Sequence, residues 1–262
     1  MLISTVIGVL IVFAVVIVTV VMITNDNKKS TANPAASSAA TSAAPSPSST
    51  RTPLPTRRPA TISRAAKKSS GPCGYTEDAA RLKSGSLFDT GLPPDPKPSP
   101  TASSNIVFVT NQGDITASLD AAGAPCNVQS IEFLVKQKYY DNTGCPRSVN
   151  SGIYVVQCGD PSGTTGGGPS YSVKDENLSK AKYPAGTIAM ANGGPNTNGS
   201  QFFFITKDST AALGPKYTVL GTVVSGLDIL RKIAAAGDDG SNTAGGGRPN
   251  IDLIFKSVTI KG

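Results

Sequence analysis

From about residue 105 onward, short apolar runs alternate with turns. Residues 106–119 read IVFVTNQGDITASL, two β-rich runs around a glycine turn, which predicts a hairpin. Further runs rich in β-branched and aromatic residues predict more short strands: YVVQ, TIAMA, QFFFIT, YTVLGTVV and IDLIFKSVTI. So many short strands, with few helical stretches between them, indicate an antiparallel arrangement rather than βαβ units.

Two longer stretches have the spacing of helices that bury one face. CNVQSIEFLVKQKYY (126–140) has apolar residues three and four positions apart. SGLDILRKIAAAG (225–237) repeats this spacing and reaches a stop signal at Gly237. Two helices among many strands predict a mainly β fold, a closed antiparallel barrel.

The first 24 residues carry no charged side chain. At about 1.5 Å per residue, a helix of this length crosses a hydrocarbon core of about 30 Å. A cleaved signal peptide is the alternative, but its apolar region is shorter and a basic region precedes it. We therefore expect a transmembrane anchor at residues 1–24 and a protein of the cell membrane that spans it once.

Between anchor and barrel, the composition is that of a spacer. Of the 30 residues from 31 to 60, 25 are Ala, Pro, Ser or Thr, too few apolar groups to offset the entropy of ordering. A second spacer, GLPPDPKPSPTASSN, is proline-rich. We expect a disordered tether at 25–104, interrupted by a segment around Cys73, and a folded domain at 105–262.

The net charge of +7 lies mostly in this tether. Residues 25–102 hold 11 Lys and Arg against 5 Asp and Glu, whereas residues 103–262 hold 13 against 12. A basic tether could bind anionic polymers of the cell envelope, with the barrel incidental to that role. No basic run with interleaved aromatic residues is present, so we expect no specific nucleic-acid partner.

The absence of histidine excludes whole classes of chemistry. With no His in the chain, His-based triads, His general bases and His metal ligands are ruled out. Tryptophan is absent as well. We expect no cofactor and no metal, and a reaction performed by Arg, Gln, Asn, aromatic residues and backbone.

Four cysteines, Cys73, Cys126, Cys145 and Cys158, allow up to two disulfides with three connectivities. A bond from Cys73 would attach the tether to the domain. Four free thiols in a reducing compartment are the alternative, and metal binding is disfavoured without a CxxC pair or His. The disulfide pattern and the tether favour export, although the lysines after the anchor, Lys28 and Lys29, favour a cytoplasmic domain. We expect the domain to be extracytoplasmic.

GTIAMANGGPNTNGSQFFFIT, together with QCGDPSGTTGGGPSY and YTVLGTVVSGLDIL, resembles the signature segments of cyclophilins. These are the cyclosporin-binding class of peptidyl-prolyl cis-trans isomerases. The likeness covers about 105–262, and the anchor, tether and cysteines look most like the membrane-anchored cyclophilins of mycobacteria and related actinobacteria. It implies a closed eight-stranded barrel capped by two helices, with a groove on its outer face that binds proline-containing polypeptides.

The resemblance also implies residue roles. Arg147 matches the catalytic arginine, and Gln157 the glutamine that orients the substrate backbone. The substrate-binding positions that match are Tyr154, Val155, Ala191, Asn192, Gln201, Phe203, Leu213 and Tyr217.

Three departures from the family pattern change these expectations. The Arg147–Gln157 spacing is two residues longer than usual, which predicts a longer turn at SVNSG that could displace the arginine. Tyr217 replaces a histidine. Ala212 stands where strong cyclosporin binders have tryptophan, so we expect weak cyclosporin binding.

The function that follows is isomerisation of Xaa-Pro bonds in exported or envelope proteins, which assists their folding. The alternative is a non-catalytic module on the same barrel that binds proline-containing peptides as a chaperone or scaffold.

Overall fold

The computed structural model describes residues 51–59, 61, 64–95 and 104–261. The predicted anchor at 1–24 lies outside these residues. Within the part of the chain that is described, no helix combines the length and apolar character needed to cross a membrane.

The described chain contains short strands and few helices, as the sequence predicted. The strands are β1 Thr76–Glu77, β2 Leu87–Phe88, β3 Asn105–Thr110, β4 Ile115–Leu119, β5 Thr143–Gly144, β6 Arg147–Ser151, β7 Ile153–Cys158, β8 Gly168–Pro169, β9 Tyr171–Ser172, β10 Thr187–Met190, β11 Phe202–Ile205, β12 Val219–Ser225 and β13 Ile254–Lys261. The helices are α1 Ala79–Ser84, α2 Pro125–Lys136, α3 Thr210–Leu213 and α4 Leu227–Ala235, with a 3-10 turn at Leu178–Lys180.

Nine strands form one curled antiparallel sheet in the order β5-β13-β3-β4-β12-β10-β11-β7-β6. The expected closed eight-stranded barrel is therefore wrong in two respects. The sheet has nine strands, and no ladder among the described residues joins its edges β5 and β6. Only Cys145 and Pro146 separate these two edge strands along the chain, so the gap is bridged covalently.

Helices α2 and α4 are the two that the sequence predicted. Helix α2 starts with Pro125, whose missing N–H costs nothing in a first turn. The next two N–H groups, of Cys126 and Asn127, donate to the carboxylate of Glu176 at 3.2 and 2.9 Å. This carboxylate satisfies donors that the helix itself cannot pair. Helix α4 follows Gly226, whose φ of 85° is the left-handed region that favours glycine.

The main core lies on the inner face of the sheet. Phe108, Phe202, Phe204 and Phe255 are fully buried there, with Phe108 at 4.9 to 5.6 Å from the other three ring centroids. A smaller apolar cluster, which includes Phe203, lies on the opposite face. Because successive strand residues point to opposite faces, the run Phe202-Phe203-Phe204 supplies both clusters.

Ordered structure begins well before residue 105, so a disordered tether is wrong for the described part of 25–104. Residues 64–95, called here the strap, contain β1, α1 and β2 and pack against the domain. Strand β1 pairs with β9, and β2 runs parallel to β8. Within the strap, hydrogen bonds from the Arg64 guanidinium lower the pKa of the Glu77 carboxyl below its ordinary value.

Both disulfides that the cysteine count allowed are present. Cys73 is bonded to Cys126, which attaches the strap to the start of α2, as we expected for this cysteine. Cys145 is bonded to Cys158, within the main domain. The Tyr75 hydroxyl adds a 2.9 Å hydrogen bond to the Cys126 carbonyl beside the first of these bonds.

Candidate functional site

The β6–β7 hairpin brings the two predicted catalytic residues together. Arg147 and Gln157 are cross-strand partners, so their side chains leave the sheet on the same face. The predicted longer turn over SVNSG is wrong, because its first four residues continue β6 and the chain reverses only at its last residue, Gly152, with φ 76°. The two extra residues lengthen the hairpin and leave Arg147 opposite Gln157.

Strand alternation decides which neighbours join them. Val155 and Ile153 lie on the face of Gln157, and both line the cavity beside Arg147. Tyr154 points to the other side, where the Lys207 ammonium stands 4.6 Å from its ring centroid. The predicted role of Tyr154 in the pocket is therefore wrong. Ile153 is the residue that the resemblance missed, and the period-two rule applied to β7 would have found it.

The cavity on this face has a volume of about 380 Å³. Eight of the ten predicted site residues line it: Arg147, Val155, Gln157, Ala191, Asn192, Phe203, Leu213 and Tyr217. Phe203 pairs with Gln157 across the β11–β7 ladder and is only 5% exposed. The Tyr217 ring meets it edge-on at 5.3 Å. These rings with Leu213 make an apolar floor of a size that accepts a small ring.

Hydrogen bonds hold the Tyr217 side of the cavity in place. The Tyr183 hydroxyl donates to the Tyr217 carbonyl at 2.8 Å and accepts from the Tyr217 N–H at 3.0 Å. From the opposite rim, the Asn192 side-chain amide donates to the Lys216 carbonyl at 3.1 Å. The loop that carries Tyr217 is therefore attached both to Tyr183 and to Asn192.

A continuous polar chain crosses the upper part of the site. Arg147 Nη1 donates to Gln157 Oε1 at 2.9 Å, and Gln157 Nε2 donates to Gln201 Oε1 at 2.8 Å. Gln201 then donates to the carbonyls of Thr165 and Gly167 at 3.0 and 2.8 Å. Each side-chain amide is thus oriented by its neighbours, and Arg147 is the first donor of the chain.

The Arg147 guanidinium is held without a counter-charge. Its Nε donates to the Gly245 carbonyl at 2.8 Å and its Nη2 to the Ala244 carbonyl at 3.0 Å. With the bond to Gln157, three of its five N–H donors are engaged, and no carboxylate pairs with it among the described residues. Burial lowers the pKa of Arg147 from its ordinary value, and the group remains cationic at neutral pH.

A loop that no sequence-based prediction included orients Arg147. Residues 242–247 run beside β6, and Asn242 and Ala244 line the cavity. Gly246 has φ 71°, and a Cβ there would lie 2.0 Å from the Ser148 carbonyl oxygen. The glycine run therefore permits a close approach that presents two carbonyls to Arg147. AGGGRP was the available signal.

The ANGGPN segment supplies backbone rather than side-chain chemistry. The Ala191 N–H donates to the Gln201 carbonyl at 2.9 Å, at the end of β10. One residue on, the Asn192 N–H and C=O make no hydrogen bond to any described residue. An extended peptide lying in the groove could pair with these groups, as an added strand pairs with a sheet edge.

A disulfide holds the two strands that carry Arg147 and Gln157 together. The Cys145–Cys158 bond joins the residue two before Arg147 to the residue after Gln157, which fixes the base of the hairpin. In the described part of the chain, no cluster of three or more Cys, Asp or Glu side chains is placed to hold a metal. The arrangement offers a fixed cation, oriented amides and an apolar pocket.

Comparison with known proteins agrees with this geometry. Residues 105–259 match the family model described as cyclophilin type peptidyl-prolyl cis-trans isomerase/CLD. This match lies within the predicted domain and covers more than half of the chain.

Curated relatives include the probable peptidyl-prolyl cis-trans isomerase B of Mycobacterium tuberculosis, 41% identical over 177 residues that cover 62% of this chain and 56% of the relative. The protein of the same name from Mycobacterium leprae is 44% identical over 162 residues, which cover 55% and 54%. The chain thus spans about half the length of the curated relatives it matches.

A crystal structure of a cyclophilin type peptidyl-prolyl cis-trans isomerase from Cryptosporidium parvum is similar, with a TM-score of 0.54 and 28% identity. The likeness covers 62% of this chain and 99% of that one. A second structure of that protein, in the presence of the dipeptide Ala-Pro, has a TM-score of 0.53 and 29% identity, covering 60% and 99%.

Proposed function

Because the chain belongs to the cyclophilin type peptidyl-prolyl cis-trans isomerases, we propose that its outer-face cavity isomerises Xaa-Pro bonds, with Arg147 as the catalytic residue. The observation that carries this proposal is the position of Arg147, fixed opposite Gln157 at the rim of an apolar pocket. The Ala-Pro dipeptide present with the Cryptosporidium protein supports the same substrate class.

The reaction suits a site without an acid, a base or a nucleophile. Rotation about an Xaa-Pro bond has a barrier of about 18–20 kcal/mol and takes about 10–100 s unaided. As the bond twists, amide resonance is lost and the lone pair localises on the proline nitrogen. A donor that binds the twisted form better than the planar form lowers the barrier, and about 7 kcal/mol corresponds to about 10⁵-fold.

Each part of the site has a role in this scheme. The floor of Phe203, Leu213 and Tyr217 holds the proline ring. The two unengaged N–H groups of Arg147 donate to the substrate carbonyl or toward the proline nitrogen in the twisted state. Gln157 and the 244–245 carbonyls hold the guanidinium in place, so little reorganisation accompanies the reaction.

We also propose that the domain acts outside the cytoplasm, at the membrane, and assists the folding of exported or envelope proteins. Two disulfides support an oxidising compartment, since such bonds are rare in the reducing cytosol. The uncharged stretch at 1–24 supports a membrane anchor. Labelling of engineered cysteines by a membrane-impermeant reagent on intact cells would be strong for an extracytoplasmic domain and absent for a cytoplasmic one.

The proposed activity is tested with the full chain in a non-ionic detergent and a short Xaa-Pro peptide. NMR exchange spectroscopy measures cis-trans interconversion, and peptide titration measures binding in the same samples. We expect interconversion many orders of magnitude faster than the unaided rate. Binding without acceleration would instead establish the non-catalytic peptide-binding module.

Weak cyclosporin binding remains our prediction. Ala212 is exposed on α3 and does not line the cavity, so it adds no contact surface there. Calorimetry on the full chain should give a dissociation constant far above the nanomolar range, and a nanomolar value would contradict this expectation.

A further inference from the structure

A second cavity, of about 300 Å³, adjoins the first. Gln157, Thr165, Ala191 and Asn192 line both cavities. A peptide whose proline occupies the first cavity would therefore place a neighbouring side chain in the second. At about 3.3 Å per residue, an extended chain covers the width of such a cavity in about three residues.

The strap supplies part of the wall of this second cavity. Strand β1 pairs with Tyr171 and Ser172, and β2 pairs with Gly168 and Pro169, four residues that all line the cavity. Helix α1 connects these two strands. It begins at an Asp78 cap, whose carboxylate accepts the Arg81 N–H at 3.0 Å, and ends at Gly85.

This connection places Arg81 at the cavity. Its Nη2 donates to the Gly166 carbonyl at 2.7 Å, which directs the guanidinium toward the lining. The other N–H groups of the Arg81 guanidinium make no hydrogen bond or ion pair within the described residues. The strap, which precedes the matched family domain, thus places the Arg81 guanidinium at the cavity with N–H groups free to bind a ligand.

The two cavities together carry positive charge and no negative charge. Arg81 lines one and Arg147 the other, and neither lining contains an Asp or Glu. Two acids lie close to this wall, and both are already engaged: the buried Asp160 carboxylate accepts from Ser162 and Gly167, and the Asp78 carboxylate caps α1 by accepting the Arg81 backbone N–H. A peptide that carries a carboxylate would find this surface electrostatically complementary.

We propose that Arg81 is a specificity-determining residue that selects substrates with an acidic side chain within about three residues of the proline. This inference rests on the proposed isomerase function and deepens it. The carboxylate of the peptide enters the second cavity and accepts hydrogen bonds from the Arg81 guanidinium while the proline occupies the first cavity. The strap, through Cys73–Cys126 and its two strand pairings, holds Arg81 in this position.

The test compares matched peptides on the full chain in non-ionic detergent. One peptide is neutral, with Gln at each of the three positions before and after proline, and six variants replace one Gln by Glu. NMR exchange gives kcat/KM for each peptide with the parent, Arg81→Gln, Arg81→Glu and Arg81→Lys. Lys83→Gln is the matched control, because it removes an exposed cation from the same helix that does not line the cavity.

We expect at least one Glu position to raise kcat/KM about two- to fivefold over the neutral peptide at low salt, the size of an exposed ion pair. Arg81→Gln should abolish this preference, Arg81→Glu should reverse it, and Arg81→Lys should keep part of it. Lys83→Gln should retain it, and salt near 0.5 M should weaken it in the parent.

Three results would overturn the inference: equal rates for all peptides, a preference that survives Arg81→Gln, or a preference lost equally in Lys83→Gln. The neutral peptide separates this failure from failure of the proposed function. If the parent accelerates the neutral peptide but shows no acidic preference, only the role of Arg81 is wrong. If it accelerates no peptide, the isomerase proposal is wrong as well.

Discussion

The two faces of strands β7 and β11 are built from neighbouring residues, yet one face packs in the core and the other lines a cavity. On the inner face, Phe202 and Phe204 are fully buried among other rings of the main core. On the outer face, Phe203 lies between them in sequence and forms the floor of an open cavity next to Arg147. The inner positions require packing on all sides, whereas the outer position requires a wall of rigid apolar surface with one side left free.

Polar groups divide between the faces in the same way. The outer face carries the chain from Arg147 through Gln157 to Gln201, with hydrogen bonds of 2.8 to 2.9 Å between these side chains. On the inner face of β7, the last residue is Cys158, a fully buried half-cystine. The lesson is that one strand can stabilise the fold with its even positions and present chemistry with its odd ones.

The largest expected effect comes from truncating an aromatic ring on each face. Phe204→Ala should lower the free energy of unfolding by about 3–5 kcal/mol, because it opens a cavity in the main core. Its kcat/KM per folded molecule should stay near the parent value. Phe203→Ala should lower kcat/KM about 10- to 100-fold through loss of the pocket floor.

Urea unfolding and NMR exchange on both variants check this separation. The comparison between faces fails if Phe204→Ala, measured well below its unfolding midpoint, loses as much activity as Phe203→Ala.

The Cys145–Cys158 bond lies at the base of the β6–β7 hairpin, which carries Arg147 and Gln157. The cysteines are 13 residues apart, and removal of a cross-link of that length should destabilise the fold by about 3 kcal/mol. The double substitution Cys145→Ser with Cys158→Ser should show this loss in urea unfolding. The matched pair Cys73→Ser with Cys126→Ser removes only the covalent attachment of the strap, so it should leave the β6–β7 hairpin intact and alter the proposed acidic preference first.

Neighbouring residues on β7 offer a sharper test of alternation. Val155→Ala should reduce kcat/KM about tenfold, since its side chain lines the cavity. Tyr154→Ala removes a much larger side chain from the other side and should change kcat/KM by less than about twofold. Equal losses in exchange measurements on the two variants would mean that Tyr154 reaches the substrate after all.

The smallest expected effect is that of pH. Within the described residues the cavity lining contains no Asp, Glu, Lys or Cys, and the chain has no His. Burial lowers the pKa of Arg147, and a guanidinium nevertheless stays charged across the range in which proteins are assayed. We expect kcat/KM to be flat between about pH 5.5 and 8.5. A bell-shaped profile would reveal a titrating group that this account lacks.

Periodicity and the aromatic signature were enough to predict much of this fold. Both main helices, the β3–β4 hairpin and the strand at Phe202–Ile205 lie where the pattern indicated them. The ninth strand was missed because β5 has only two residues, too few for any pattern to register. The strap was missed because it is stabilised by a disulfide and by pairing with distant strands rather than by its own composition.

The site was predicted less evenly. Eight of the ten matched residues line one cavity and Gln201 lines the adjoining one, because strand register carries them together. The prediction that Tyr154 lines the pocket was wrong because adjacent residues of a regular strand cannot both face one pocket. The glycine run AGGGRP signalled the loop at 242–247, but its role in orienting Arg147 depends on carbonyl directions that only the folded backbone defines.

The most direct test of the central claim is the exchange rate of an Xaa-Pro peptide with Arg147→Ala and Arg147→Lys beside the parent. All three should bind the peptide and unfold at similar urea concentrations, because Arg147 lies at the rim rather than in the core. We expect Arg147→Ala to lose at least about 100-fold in kcat/KM. Arg147→Lys should recover little, since one ammonium cannot keep the three fixed hydrogen bonds and still donate to substrate. An Arg147→Ala variant that retains the parent rate would contradict the claim that this cation stabilises the twisted bond.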